Sequence, residues 1–378
     1  MDYDVVVAGG SVAGLLCARE ISSRNHKVLV IEEDSEIGTP EHCGGVVSVS
    51  AIDELGVIPM RSTLDNKISS AVMVSPSGIK FTLDARPQQV IVLDRREFDK
   101  QIAHQAKVNG AEIRVRTSLR EITKDGVRTT DGEIKCKIVV DARGVSSLIQ
   151  KDRTGIFQSA QYEVYADWIC KERIEVHLDQ EKYPGFFAWV IPTRRDEAKV
   201  GVAGKGINAA AVLEDFLEHK GKHSTIRKIF APIWVKGPIK EFVTRNVVTI
   251  GDAAGQSKPT TAGGIYSCGI GGMLAGKAIS KFLKSGNETQ LSEYQKSWLE
   301  KFGNEFEQML LARSLLERLD NKTIDKLFES ITPQLLDEIS KEGSFDFHTI
   351  SVAKLLGVKG STKVLQAILG NELRRLLT

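Results

Sequence analysis

Asp4-Val-Val-Val-Ala-Gly-Gly-Ser-Val-Ala-Gly14, followed by Val28-Leu-Val-Ile-Glu32, decides the fold of this chain. A β-branched run ends in glycines, a helical pattern follows, and a second apolar run ends in an acid. That order and spacing predict a βαβ unit that holds an adenine dinucleotide. Gly9 permits a sharp exit from the first strand, and Gly14 lets the helix pack against the sheet. The helix N-terminus offers unpaired N–H groups and the positive end of its dipole to a pyrophosphate. Glu32 closes the second strand, where a carboxylate accepts from ribose hydroxyls. The pattern departs from G-x-G-x-x-G at Ser11, a small residue that the turn tolerates. The candidate cofactor-binding residues of this unit are Gly9, Ser11, Ala13, Gly14, Glu32 and its neighbour Glu33.

The second informative stretch lies far along the chain. Val247-Val-Thr-Ile250 reads as a buried strand running into Gly251-Asp252, then Lys258-Pro-Thr-Thr-Ala-Gly-Gly-Ile265. An aspartate at a strand end can accept from a polyol chain, and the N–H groups of Gly263 and Gly264 open a helix. Between these stretches, Asp34 to Gly45 is rich in turn residues and reads as a long functional loop. Ile68 to Leu83 alternates around Pro76-Ser-Gly78, which predicts a hairpin, and Phe98 to Val108 has helical spacing. Residues 155–240 read as antiparallel sheet with one helix near Ala209 to Glu218.

The expected fold class is α/β, a Rossmann-like FAD-binding domain with an inserted antiparallel-sheet substrate domain and a C-terminal helical region. The expected segments are 1–67, 94–154 and 245–286 for the cofactor domain. Residues 68–93 (a hairpin) and 155–244 are assigned to the substrate domain, and 287–378 to the helical region.

Composition narrows the partners. The 378 residues suffice for more than one domain. Acids and bases are interspersed and the net charge is +2, which gives no basis for a nucleic-acid partner. Five scattered cysteines without C-x-x-C suit a reducing compartment, and the seven histidines show no metal-ligand spacing, so no metal is expected. Asp2 and Asp4 stand where a signal peptide would be basic, and no run of eighteen apolar residues occurs. The expected location is therefore the cytoplasm, with room for peripheral contact at a membrane. The amphipathic stretch from Val364 to Leu377, with Lys363, Arg374 and Arg375, reads either as a membrane-docking face or as a helix packed on the protein's own surface.

Together the two stretches resemble the flavoproteins built like p-hydroxybenzoate hydroxylase, in which such a pair holds FAD. Within that group the chain is similar to the geranylgeranyl reductase family, from Tyr3 to about Phe282. The loop around Cys43-Gly-Gly45 resembles the family's cysteine-glycine loop beside the flavin. Arg95 with Phe98-Asp99 matches its Arg-x-x-Phe-Asp helix start, whose arginine sits near the cofactor. Phe187-Ala-Trp-Val-Ile-Pro192 resembles its Tyr-x-Trp-x-Phe-Pro motif. The chain departs from the family at Phe187, at Ile191, at Ala203 of the closing Gly201-Val-Ala203, and at Arg143-Gly144, where an Asp-Gly pair is common. The resemblance adds Cys43, Gly44, Arg95, Gly251, Asp252, Pro259, Gly263, Gly264 and Ile265 to the cofactor residues and makes Cys43 the candidate catalytic group. His42 is a weaker candidate proton donor, and Lys258 reads either as a solvated loop cation or as a flavin-side residue.

Side chains alternate along a strand, so Phe187, Trp189 and Ile191 share one face. They are the candidate substrate-lining set, with Ala188 and Val190 behind them. The resemblance implies a reductase that saturates carbon–carbon double bonds of an isoprenoid lipid. Hydride would come from reduced flavin and a proton from a side chain or water. Ferredoxin, a flavoprotein and NAD(P)H all remain open as electron donor. Two other functions stay open at this point: a flavin monooxygenase or dehydrogenase of an aromatic or other apolar small molecule, and a non-catalytic isoprenoid-binding protein on the same fold.

Overall fold

The computed structural model describes residues 2–149 and 152–346. Strand Tyr3–Ala8 pairs in parallel with Val28–Ile31 on one side and with Gly132–Asp141 on the other. Glu112–Arg114 and Val247–Thr249 extend the parallel sheet at its two sides. The early and late segments identified in sequence thus enter one sheet. All four inner strand ends, at Gly9, Glu32, Asp141 and Gly251, open on the same edge, the edge where α/β sheets bind nucleotides.

One face of this sheet is covered by helices Val12–Ser22, Arg95–Val108, Ile265–Ser285 and Thr289–Leu316. Their apolar residues form one core with the strands, anchored by the fully buried Trp298, Tyr294, Phe302 and Phe306. The other face is covered by the antiparallel hairpin Leu119–Thr123 and Gly126–Thr129 through Leu119, Ile122 and Val127. Parallel strands buried on both faces account for the unbroken apolar runs in the sequence.

The helices Val12–Ser22 and Ile265–Ser285 approach unusually closely. A β-carbon on Gly272 would stand 2.1 Å from the Ala13 carbonyl oxygen, and one on Gly276 2.8 Å from that of Cys17. This is why the late helix is glycine-rich, and the contact holds the second glycine segment against the first.

The inserted region forms a second sheet in the order Ser224–Phe230, Ile156–Tyr165, Glu197–Gly204, Ala188–Arg194, Arg173–His177, Ser70–Val74, Lys80–Asp84. It is antiparallel except where Arg173–His177 runs parallel to Ser70–Val74. Helix Ala209–Lys220 covers one face, burying Ala188, Val190, Val200 and Val202 against Leu213 and Phe216. The segment 68–93, expected to act as one hairpin, is divided. Ser70–Val74 and Lys80–Asp84 join this sheet, whereas Val90–Leu93 pairs with Val46–Ser48 and Leu64–Lys67 in a separate three-stranded sheet. The hydrophobicity of Val90-Ile-Val-Leu93, buried throughout, carries no mark of which sheet it enters.

Beyond the long helix Thr289–Leu316, Asn321–Glu329 and Pro333–Glu342 continue the helical region. The amphipathic stretch 364–377 lies outside the described residues. Among the described residues no helix is long and apolar enough to cross a membrane.

Gly272→Ala is expected to force the two helices apart at Ala13 and lower unfolding free energy by about 1–3 kcal/mol. Denaturant titration checks this as a lower midpoint with an unchanged slope.

Candidate active site at the edge of the parallel sheet

The first turn is built by close backbone contact. Gly9 adopts φ +114°, and a β-carbon there would lie 2.3 Å from the Ala142 carbonyl oxygen; one on Gly14 would lie 2.0 Å from that of Gly9. Ser11 caps the helix with an extended backbone, but its hydroxyl makes no capping bond to its own helix, and the residue is exposed. Glu32 accepts from the Gly10 N–H at 2.6 Å and from the Asp34 N–H at 3.0 Å, which fixes its carboxylate at the mouth of the turn. Glu33 is exposed beside it. Asp141 closes the third strand, held by a two-bond pairing with Arg143 (3.0 and 2.9 Å) and by the Ser147 hydroxyl. Arg143, which stands where the family's Asp-Gly acid is common, therefore covers the strand-end acid rather than replacing it.

The second half of the cradle starts at Gly251, whose N–H donates to the fully buried Gln256 at 2.8 Å; Gln256 in turn donates to Tyr294. Asp252 is partly buried between buried neighbours at the end of the strand Val247–Thr249. It accepts from Cys268 at 3.4 Å and lies beneath Gly264, whose added β-carbon would stand 3.2 Å from Oδ1. Desolvation pushes the Asp252 carboxyl up, opposed by hydrogen bonds from Cys268 and Ser257 and by the Arg95 charge. Gly264 caps the 21-residue helix that opens at Ile265, aiming its free N–H groups at the cleft. The preceding loop is pinned where the Pro259 carbonyl accepts from the buried Arg313 at 3.0 Å. Lys258 is buried. It donates to the Phe345 carbonyl at 3.1 Å and stands 3.9 Å from Asp346, and burial lowers its pKa. It is not a solvated loop cation.

The Cys43 loop joins these two halves. The Cys43 sulfur accepts from the Gly45 N–H at 3.3 Å, and its carbonyl accepts from Gln161 at 3.4 Å. Arg95 is clamped on Asp99 by bonds of 3.0 and 2.9 Å. Burial disfavours its charge, but Asp99, with Cys43 and Glu41 nearby, keeps it firmly protonated. His42 is exposed, and its charged neighbours are Asp34, Arg95 and Glu32, so it belongs to the ribose end of the cleft.

The register shows what faces this loop. Trp189 pairs with Gly201 and Ile191 with Lys199, and those pair in turn with Gln161 and Glu163. Directly paired residues share a face. That face meets the Cys43-Gly44 loop: a β-carbon on Gly44 would stand 2.6 Å from the Ile191 side chain. Trp189 lies flat over Gly201, where a β-carbon would be 2.3 Å from the indole, and donates to Gln161 at 3.1 Å. Phe187 stacks on Phe186 at 4.2 Å and shares a cluster with Trp189 and Ala262 of the glycine loop. Phe187, Trp189 and Ile191 are thus brought to the cleft, while Ala188 and Val190 are under the covering helix. The same face is charged toward its other end. Lys199 and Glu41, both buried, form an ion pair, joined by Arg96 at 3.5 Å and by Arg227 at 4.0 Å.

Several residues that build the site carry no motif. Gln161 and Lys199 are buried, but their strands also carry Gln158, Ser159, Glu163 and Glu197, so no signal in the sequence singles them out. Gln256 lies inside the Gly-Asp stretch but reads there as an ordinary loop residue. Among the described residues, no three His, Cys, Asp or Glu side chains converge as a metal site.

A glycine-turn cradle, a strand-end aspartate and a helix N-terminus around one cleft define a flavin-dependent oxidoreductase. The profile of the lycopene cyclase protein family matches residues 4–167. The chain is 32% identical over 361 residues to digeranylgeranylglycerophospholipid reductase of Methanocaldococcus jannaschii, covering 88% of this chain and 91% of that one. Its fold is similar to that of a geranylgeranyl bacteriochlorophyll reductase-like protein from Thermoplasma acidophilum (TM-score 0.85, 24% identity, 97% and 99% coverage). It is similar in fold alone to a flavin-dependent brominase (TM-score 0.68, 17% identity, 99% of each chain). The chain belongs to the geranylgeranyl reductase family.

Asp252→Ala is expected to purify with most of its flavin lost, because a strand-end acceptor disappears. Visible absorbance per protein checks it, and full occupancy would remove Asp252 from the cofactor site. Glu32→Ala is expected to weaken binding more mildly, since ribose hydroxyls can turn to water.

Proposed function

We propose that this protein is an FAD-dependent reductase that saturates carbon–carbon double bonds in the isoprenoid chains of a geranylgeranyl-type lipid. The observation that carries the reading is the apolar face of Phe187, Trp189 and Ile191 set against the Cys43-Gly44 loop and the glycine cradle. An apolar wall also suits a flavin monooxygenase or dehydrogenase of an aromatic or other apolar small molecule. The relatives at 32% and 31% identity favour the reductase over it.

The residues present fit FAD. Gly9, Ser11, Ala13 and Gly14 would hold the pyrophosphate at the first helix, and Glu32 and Glu33 would meet the ribose. Asp252 would accept from the ribityl chain, and Gly263 to Ile265, with Pro259, would meet the ring. When bound and reduced, FAD supplies a hydride. An isolated alkene is unactivated, so the protein's part is alignment and exclusion of water. Trp189 and Ile191 hold the chain against the cleft, and Gln161 fixes both the indole and the Cys43 carbonyl. Arg95 carries permanent positive charge behind the loop. Cys43 is the group proposed to hold a proton at Sγ for the alkene carbon that does not receive hydride, and to regain it from water. Reducing equivalents come from a separate donor (ferredoxin, a flavoprotein or NAD(P)H), and the substrate's headgroup can remain at a membrane surface.

The deciding experiment is anaerobic incubation of dithionite-reduced protein with a geranylgeranyl lipid, scored by mass. Addition of hydrogen pairs is expected; recovery of unreduced lipid from protein whose flavin stays competent would overturn the reading. Trp189→Ala is expected to weaken discrimination for long chains by roughly 1–3 kcal/mol in kcat/KM. Val190→Ala, on the helix-covered face, is expected to lower stability by roughly 2 kcal/mol with the chain-length profile intact. The reverse pattern would place the substrate on the other face.

A further inference from the structure

After helix Pro333–Glu342 the chain continues as a short strap, Gly343–Asp346, without regular structure. The strap is fastened at both ends. Gln88 donates to the Gly343 carbonyl at 2.6 Å, and the Ser340 hydroxyl accepts from the Asp84 N–H at 3.1 Å, tying the helix end to the hairpin. At the other end the Ser48 hydroxyl donates to the Asp346 carboxylate, and Lys258 donates to the Phe345 carbonyl. The Lys258 ammonium also stands 4.7 Å over the Phe345 ring. The ring packs on the cluster of Ile68, Val90, Val92, Ile174 and Ile191, with Trp189 at its margin.

The burial pattern of the strap is inverted. Asp346 is 8% exposed, whereas Phe345 keeps partial exposure. A segment that served only as cover would bury the phenyl group and leave the carboxylate in water. Here a buried acid and a buried lysine fix the backbone while the partly exposed aromatic ring lies on the apolar cluster that also holds Ile191 and Trp189. Lys258 immediately precedes Pro259, so the ring is tied to the same loop that carries Gly263 and Gly264.

We propose that Phe345 is a specificity-determining residue: held by the Lys258–Asp346–Ser48 latch, its ring closes the apolar slot beside Trp189 and Ile191 and sets the length of isoprenoid chain admitted. The proposal rests on the isoprenoid reading above. It is tested with oxidised holoenzyme, in which no reduction occurs, titrated with isoprenoid alcohols of two, three and four isoprene units. The perturbation of the flavin's visible absorption reports binding. Wild type is expected to discriminate among the three. Phe345→Ala is expected to change the affinity ratio between longest and shortest by about tenfold, the scale of a lost wall contact in an apolar pocket. Phe345→Leu is expected to fall between, and Asp346→Ala to move the ratio in the same direction by releasing the latch. If Phe345→Ala proves unstable on heating, the Leu and Asp346 variants carry the test. Alcohols that bind with the wild-type ratio in all folded variants would overturn the role of Phe345 and leave the reductase reading intact. Alcohols that bind to no form, wild type included, would overturn the isoprenoid reading and the role of Phe345 with it.

Discussion

Backbone contact at Ala13 is the constraint on which the rest of the molecule depends. The Ala13 carbonyl meets Gly272, its methyl lies 3.0 Å from where a β-carbon of Gly251 would stand, and the helix it opens is pressed on Gly9 through Gly14. No side chain larger than hydrogen fits at those glycines without displacing backbone. The first helix N-terminus and the late Gly-Asp turn therefore share one small volume. The strands of the inserted sheet, which lie between them in sequence, have to leave the cofactor domain and return to it. The inserted sheet is positioned by that return, so the geometry of the substrate face follows from contacts made on the other side of the cofactor cleft.

The face that the insertion turns toward the cleft is divided by chemistry. Around Trp189 and Ile191 it is apolar, suited to a hydrocarbon and to exclusion of water. Around Lys199, Glu163 and Arg227 it is ionic and meets Glu41 on the loop that also carries Cys43. A buried ion pair contributes little net stability, because desolvation of both charges offsets their attraction, but removing one partner leaves the other stranded at a cost of about 3–5 kcal/mol. Such a pair acts as a register pin. It tolerates one relative placement of loop and sheet, and that placement puts Gly44 against Ile191 and Gln161 against the Cys43 carbonyl.

The cofactor half of the molecule was legible because its chemistry demands rare residues at fixed spacing. Glycines at 9 and 14 answer to close backbone contacts and Glu32 to the Gly10 N–H, and few sequences carry that spacing by chance. The alternation that sets Trp189 and Ile191 on one face and Val190 on the other was also legible, since strand geometry alone dictates it. What the sequence did not disclose depends on tertiary partners. Val90-Ile-Val-Leu93 is equally apolar in either sheet, so its departure from the hairpin has no local signature. Lys258 is compatible with a solvated loop until a later segment is seen to bury it. Gln161 and Glu41 are ordinary polar residues whose roles arise from partners distant in the chain, and Phe345 and Asp346 lie in a stretch without periodicity.

The meeting of Gly272 with Ala13 has a consequence for synthesis. A chain emerging from the ribosome presents its first strand, helix and second strand early, yet the glycine-rich helix that completes the cradle comes only after the whole inserted sheet has been made. Until then the apolar surface of Val12–Ser22 that packs on that helix, including Leu16 and Cys17, has no lasting cover. Contacts between such distant segments form late and leave intermediates prone to association. A nascent form of this protein is therefore a nucleotide fold with half its binding edge missing, and loading of the cofactor is a late event, coupled to completion of the chain rather than to folding of its first motif.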